Sequence, residues 1–383
     1  MNLFIAILGF ALVVLTLWDV FETIILPRRV TRQFRLARMF YRSTWRPWSR
    51  IARLIPNRNY RESFLSFYGP LSLLGLFAFW AVSLMFAFAC LHYGNGSALN
   101  PSGNTYAPPN FWTDVYMSGS TFFTLGLGDV TPRTSLARVI TVSEAGIGFG
   151  FLAVVISYLP VLYGAFSRRE VNISLLDARA GSPPTAAEFV RRHVVGGGID
   201  SLTAYLQEWE NWAAELMESH LSYPVLCYFR SLHNNQSWLA SLTTVLDVTS
   251  LLLVYGEGSL RWQANLTFAI SRHAIVDLAQ VLHVPPAKSV GDRLSAEDAR
   301  QLRALLSGAG LAPRDHDDAQ RLTELQNMYE PYVIALGQRL QMPVPAWTTT
   351  MPHADNWRTS QWARDMTNVE PAKFAGSQAE EHD

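Results

Sequence analysis

Three apolar stretches, each long enough to cross a bilayer, limit what this chain can fold into. Leu3 to Trp18 is broken only by Thr16, and its helical periodicity continues past Asp19 and Glu22 to Leu26. Phe64 to His92 holds no Asp, Glu, Lys or Arg, and Gly69-Pro70 marks a natural start for its apolar run. Val139 to Phe166 carries a single charge, Glu144. A bilayer core of about 30 Å needs roughly 20 helical residues, so each stretch qualifies as a span. The first does not read as a cleavable signal peptide, because it lacks a basic start and a small-residue cleavage site.

The formal charge of zero conceals an asymmetry that orients these spans. Residues 1–169 carry fifteen Lys+Arg against six Asp+Glu, and residues 170–383 carry sixteen against twenty-five. Eleven arginines and no acid lie in 28–61. The positive-inside rule places that loop in the cytoplasm. The N-terminus and the segment from Gly94 to Pro132 then face out, and everything from 170 onward faces in. Only two lysines, Lys288 and Lys373, stand against many arginines. That bias suits a GC-rich genome, so the expected setting is a bacterial inner membrane. Cys90 and Cys227 give no disulfide framework.

Between the second and third spans, Gly94 to Asn110 is rich in Gly, Ser, Asn and Pro and reads as an exposed loop. Phe111 to Phe123 suits a short helix, too short to span and therefore re-entrant. It leads into Thr121-Phe-Phe-Thr-Leu-Gly-Leu-Gly-Asp-Val-Thr-Pro132. Non-helical backbone at membrane depth is tolerated where it lines a watery cavity or is buried in protein. An extended Thr124–Leu127 would present backbone carbonyls, with the Thr124 hydroxyl, in place of a cation's water. Alternating backbone handedness is needed for those carbonyls to face one way. Gly126 and Gly128 provide positive φ without steric cost. The short helix would aim its partially negative C-terminal end at the same place.

Thr124, Leu125, Gly126, Leu127, Gly128 and Asp129 resemble the T-V-G-Y-G-D filter of the potassium channel pore-loop family, residue for residue, with Leu for Val and Leu for Tyr. The G-L-G form is similar to the second pore loop of two-pore-domain potassium channels. The resemblance covers about 64–166. It implies a filter formed by Thr124 to Gly128, with potassium as the permeant ion and no other cofactor or metal. One loop per chain implies a homotetramer. It also implies a hinge glycine, met by Gly148, nineteen residues beyond Asp129. Three departures stand out. Leu127 replaces a tyrosine that packs into an aromatic cuff, and the pore-helix positions near Tyr116 and Met117 are only partly aromatic. Ser120 stands where some members carry a glutamate bonded to the filter aspartate. Phe123 replaces a common threonine. The expected consequence is a looser filter or a differently shaped apolar pocket. A nucleotide loop is excluded, because no G-x-G-x-x-G lies between a strand and a helix.

In the third span, Gly146, Gly148 and Gly150 cluster near the middle. Gly148 is read as the hinge and the other two as packing positions. Leu152, Ile156, Leu159 and Tyr163 share one face, either as a dewetting constriction or as an ordinary packed stripe. Pro160 is expected to kink the helix where the bundle converges. Glu144, an acid inside the membrane, is a functional candidate. It would bond the back of the pore helix or attract cations directly. Asp129, Ser120 and Glu144 are thus the filter supports, and Gly148, Ile156 and Pro160 the gating residues.

Asp19 and Glu22 share a helix face and are expected to pair with Arg28 or Arg29; proton sensing or lipid contact is the alternative. Arg29, Arg32, Arg35 and Arg38 recur every third residue, as in a voltage sensor, but a sensor needs a surrounding bundle and only one helix precedes them. Interleaved Phe34, Phe40, Tyr41, Trp45 and Trp48 point to an interfacial helix on anionic headgroups across Arg28–Arg61.

After Arg169, "DARAGSPPT" reads as a linker. Helical periods follow at 184–194, 199–220, 236–256, 259–284, 295–307 and 316–341. Asp315, Asp317 and Asp318 favour a helix N-terminus, with a divalent-ion site as the rival. The stretch from Ser219 to Trp238, with His220, Tyr223, Arg230, His233 and Asn234, reads as a packed helical hairpin or a ligand pocket. The acidic balance gives no support for nucleic-acid binding. The tail from Met342 is expected to be loose, docking at most through Trp347, Trp357 or Trp362.

The expected architecture is therefore all-α: an N-terminal transmembrane helix (1–27), an Arg-rich interfacial segment (28–63), a pore domain of outer helix, re-entrant pore helix with filter, and inner helix (64–168), a cytoplasmic helical regulatory domain (169–341) and a tail (342–383). A multi-pass potassium channel, gated through an unidentified cytoplasmic ligand, is the expected function. A weakly selective monovalent cation channel and a non-conducting receptor or scaffold are the rivals. No paired acid/base or nucleophile motif suggests an enzyme.

Overall fold

The computed structural model describes residues 2–26, 35–101, 109–195, 201–232, 235–288, 293–308, 311 and 317–348. Among them the chain is helical apart from one two-stranded ribbon. It forms two compact units, Met1–Gly164 and Ala165–Asp383.

The first unit opens with α1 (Leu3–Val20), which runs into a π turn, Phe21–Ile25. An amphipathic α2 (Leu36–Leu54) and a short α3 (Arg58–Ser66) follow. Asn57 starts α3 by accepting the N–H groups of Asn59 and Tyr60, two of the donors a helix start leaves unpaired. Next come α4 (Tyr68–Gly94), β1 (Leu99–Pro101), α5 (Phe111–Phe122), β2 (Val130–Pro132) and α6 (Ser135–Ala180). Helix α1 lies along α4 at close range: a Cβ on Gly9 would sit 2.7 Å from the Ala87 carbonyl oxygen, and one on Gly94 would sit 2.6 Å from the Ala6 nitrogen. Small residues let membrane helices approach in this way, where burial from water supplies no drive.

Asp19 of α1 and Glu22 of the π turn both have partners among the described residues. Asp19 accepts the indole N–H of Trp80 at 2.9 Å and the backbone N–H of Ala37 at 2.9 Å. It therefore caps the start of α2 from a different helix. Glu22 lies 3.6 Å from Arg35 and accepts the Trp18 indole N–H at 2.7 Å. Arg28, Arg29 and Arg32 lie outside the described residues. The aromatic residues of α2 also turn inward. Trp45 is buried edge-on against Tyr68 at 4.7 Å, Trp48 stacks on Phe64 at 4.4 Å, and Phe40 meets Phe79 at 5.7 Å.

The second unit contains the C-terminal part of α6 followed by α7 (Ala186–Val195), α8 (Leu202–Ser222), a 3-10 turn at Pro224–Tyr228, α9 (Trp238–Tyr255), α10 (Gly258–Val281), α11 (Ala296–Gly308), α12 (Asp318–Asn327) and α13 (Glu330–Leu340). These match the expected helical periods, except that 316–341 is two helices. Pro331 explains the break: it lacks an N–H, so it suits the first turn of a new helix and not the interior of a long one.

Helix α9 is the core element. It is apolar enough to cross a membrane, yet 94% of that window is buried within the protein. Its hydroxyls stay inside by bonding to their own helix, as Thr243 does to the Leu239 carbonyl (2.7 Å) and Thr249 to that of Val245 (2.7 Å). Helix α10 packs on both α8 and α9, so α8 and α9 do not form the expected hairpin.

One further expectation is corrected, and the docking allowed for the tail through Trp347 is found. The "DARAGSPPT" stretch is helix as far as Ala180 and then a largely buried turn. Arg192 donates to the Asp177 and Ala178 carbonyls, and Thr244 donates to that of Pro184 at 3.1 Å. The tail is docked through Thr348: Trp347 is fully buried, and its carbonyl accepts the Ala187 N–H at 3.0 Å. Trp357 and Trp362 lie outside the described residues.

Candidate permeation site

Helix α5 is defined at its start by a reciprocal cap. The Asn110 side chain accepts the N–H groups of Trp112 and Thr113, while the Thr113 hydroxyl accepts the Asn110 N–H. It ends at Phe122, where the backbone turns: the Leu125 N–H bonds the Ser120 carbonyl at 2.8 Å, and Thr124 takes φ 56°. Beyond it the positive-φ positions recur at every second residue, Thr124 (56°), Gly126 (61°) and Gly128 (77°). The glycines tolerate this, but for a threonine it is an uncommon and strained conformation. Leu125 and Leu127 are both 63% exposed, so the stretch is open along its length in the single chain.

Both ends of this strand are held. Asp129 accepts the phenol of Tyr116 on α5 at 2.7 Å, and its Oδ1 accepts the Val130 N–H at 3.1 Å. Strand β2 pairs antiparallel with β1, matching Leu99 with Pro132 and Pro101 with Val130. Ser120, placed by sequence beside Asp129, is buried and supplies its backbone carbonyl to the strand. Tyr116 is the Asp129 partner.

Behind α5 lies a fully buried polar cluster drawn from three helices. Ser118 of α5 donates to the Met85 carbonyl of α4 at 2.7 Å and also bonds Glu144 of α6. His92 of α4 stands with Nε2 3.8 Å from Glu144 Oε2. Of the two roles weighed for Glu144, the bond to the back of the short helix is the one observed. Ser97 donates to the buried Asp114 of α5 at 2.6 Å. Sequence reading passed over Ser97, His92, Asp114 and Ser118. A polar residue inside an apolar run was the available signal for His92 and Asp114, but their partners are not close in sequence.

Gly148 sits directly behind the end of α5. A Cβ there would lie 2.2 Å from the Phe122 carbonyl oxygen. Gly146 and Gly150, expected to pack, have open space where a Cβ would be in the single chain. On α6 the buried stripe is Phe151, Tyr158 and Leu162, with Phe151 5.8 Å from Phe122 and Tyr158 6.0 Å from Phe77. Along the other face Ile156 is 71% exposed, whereas Leu152 and Leu159 are half-buried. Helix α6 continues through Pro160 to Ala180.

This geometry agrees with the comparison of the sequence with known proteins. Residues 75–162 match the model of the family described as "Ion channel". Over that segment the chain is similar to the ion channel family. The segment runs from within the first third of α4 to within α6 and so contains α5 and the stretch with alternating positive φ. The channel segment is flanked by regions outside the family match. The uncharacterized membrane protein YdjJ of Bacillus subtilis (strain 168) is 24% identical over 220 residues, covering 57% of this chain and 63% of that protein. The chain thus matches somewhat less than two thirds of that relative's length. No solved structure matches.

Among the described residues no cluster of metal-ligating side chains is present in either unit. Asp317 precedes α12 without bonding its N–H groups, Asp318 is buried, and Asp315 lies outside the described residues. In the second unit His220 is buried against Trp238 and Arg230 donates to the Leu340 and Gln341 carbonyls, closing α13. His233 and Asn234 lie outside the described residues.

Proposed function

We propose that four copies of this chain form a channel that passes potassium down its gradient across a bacterial inner membrane, with Thr124, Leu125, Gly126, Leu127 and Gly128 lining the filter. The observation that carries this reading is the positive φ at residues 124, 126 and 128 on an exposed strand between α5 and α6. Such alternation aligns successive carbonyls, which then substitute for the hydration shell of a monovalent cation. A single strand leaves Leu125 and Leu127 bare, and a ring of four strands would enclose the ion. The negative end of α5 adds to the attraction. Asp129 and Glu144 would hold the filter from its outer end and from behind.

Gly148, Ile156 and Pro160 are the proposed gating positions of α6. Ile156 is open to a neighbouring copy and suits a hydrophobic constriction. The second unit would lie in the cytoplasm, as the arginine-rich segment 28–61 implies, and would bias opening through a ligand not yet identified. The same segment would meet anionic lipid.

A weakly selective monovalent channel is the second reading. It is favoured by Leu127, an apolar side chain that can neither donate nor accept a hydrogen bond to brace the filter, which leaves the Tyr116–Asp129 bond to hold the outer end. Both readings are tested by reconstituting the purified protein in liposomes, with potassium and sodium flux compared for wild type and Gly126→Ala. Potassium-dominated flux lost in the variant supports the first. Equal fluxes support the second. Flux unchanged by Gly126→Ala would remove the filter assignment from both.

A further inference from the structure

We infer that α2 is a docking surface for anionic phospholipid headgroups at the inner leaflet, with Arg42, Arg46, Arg50 and Arg53 as its phosphate ligands. This rests on the reading of α1 and α4 as spans, and it assigns the lipid class and the residues that select it. The four arginines are spaced four, four and three residues apart, which at 3.6 residues per turn confines them to an arc of about 80°. All four are exposed, and none has an ion-pair partner among the described residues. Segment 28–61 itself holds no acid, and Glu62 on α3 is the first to follow it.

The opposite face fixes how the arginines are presented. Trp45, Trp48 and Phe40 are engaged by Tyr68, Phe64 and Phe79. The helix start is held by Asp19, and Arg35 just before it by Glu22 and by the Thr23 hydroxyl at 2.9 Å. The aromatic residues therefore do not insert into lipid; they clamp α2 to the membrane helices so that the arginine row stands fixed at their inner boundary. The segment is bounded in the chain by one span before it and another after it.

Exposed apolar residues decide between a lipid and a soluble anion. Met39 falls inside the arginine arc, and Leu54, 80% exposed, lies just beside it. Water penalises those side chains, whereas the boundary between headgroups and acyl chains accommodates them beside arginine stems. The combination of an exposed basic row with apolar residues on one helix suits a phospholipid surface.

The test uses the full-length protein in nanodiscs of equal phosphatidylglycerol and phosphatidylcholine, followed by native mass spectrometry of the lipids it retains on release. Wild type should retain phosphatidylglycerol preferentially. R42Q/R46Q/R50Q/R53Q should lower that preference about tenfold or more, and the corresponding quadruple Lys variant should keep most of it. If the quadruple Gln variant fails to assemble, R46Q/R50Q is read in the same way, with a smaller loss. An unchanged preference in a correctly assembled Gln variant overturns the assignment. So does a wild-type preference abolished by millimolar inorganic phosphate, which would mark a site for free anions. Lipid retention is read independently of ion flux, so a protein that conducts nothing yet loses phosphatidylglycerol on arginine removal leaves this inference standing and sinks only the channel reading.

Discussion

Glu144 shows how a single residue can tie three elements together. Its carboxyl group is fully buried between the Ser118 hydroxyl and the His92 ring. Removing one member of such a cluster leaves the others unsatisfied, and that penalty exceeds the net value of the bonds themselves. Glu144→Ala should therefore lower stability by about 2–4 kcal/mol, the sum of a cavity and orphaned polar groups. Glu144→Gln, which keeps the shape and can still bond Ser118, should cost less than half as much. Thermal unfolding of the detergent-solubilised protein separates the two, and equal losses would show that the contact with Ser118 contributes nothing. Glu188 makes a different residue-scale case, at the start of α7. Hydrogen bonds from Arg191, and then from Arg192, hold its carboxyl down to about 2, against an ordinary value of 4.5. A lowered folded-state value means that the stabilisation is complete above the unfolded value and disappears as pH falls through the folded one. Acid titration of the full-length protein, followed by helical signal, should show wild type losing stability more steeply than Glu188→Gln between about pH 5 and pH 2. Parallel curves would count against the pairing.

At the scale of elements, the approach of α6 to α5 is set at one glycine. A Cβ at Gly148 would meet the Phe122 carbonyl oxygen at 2.2 Å, and a backbone atom cannot turn aside as a side chain can. Gly148→Ala should push α6 off the end of α5 and displace the strand at Thr124. Gly146→Ala and Gly150→Ala meet open space in the single chain and, as helix-interior changes from glycine, should be neutral or stabilising by up to about 1 kcal/mol. Comparing assembly by size-exclusion chromatography and ion flux for the three variants tests this directly. Three equivalent alanine variants would mean that the close contact is not what the glycine is for. The hinge expected at Gly148 from its spacing is a statement about motion, and the structure adds a packing reason for the same residue. The helices themselves were legible from apolar periodicity, because that pattern is local. What α2 does with its aromatic residues was not legible. Trp45 and Trp48 suit a lipid interface and a protein interface equally, and Tyr68 and Phe64 are what decided the matter.

On the scale of the whole molecule, the second unit is closed by the start of a tail that sequence read as loose except for docking through a tryptophan such as Trp347. Trp347 lies under Arg293, which donates to Asp247 at 2.7 Å, to Glu330 at 2.8 Å and to the Pro345 carbonyl at 2.9 Å. The adjacent charges raise the Arg293 guanidinium above its ordinary value even though burial opposes this. Trp347→Ala should destabilise the second unit by about 3–5 kcal/mol, through the cavity and the wetting of this network. Limited proteolysis is expected to begin at Met342–Thr348 in the variant and not in wild type. An unchanged cleavage pattern and melting temperature would show that the strap is incidental.

What the sequence determined by itself was whatever depends on neighbours along the chain. Span lengths, the Arg-rich loop, the helical periods of the second unit, and glycines at alternate positions of the Thr124–Asp129 strand are all short-range patterns, and the backbone takes up both glycines at positive φ. Tertiary structure decided the partners: Asp19 with Ala37 and Trp80, Glu22 with Arg35, Asp129 with Tyr116, Glu144 with Ser118, and Trp347 with its buried place in the second unit. The reason is physical. A buried polar group must find a partner wherever the fold brings one, and proximity in space between residues dozens of positions apart leaves no periodic trace in the chain.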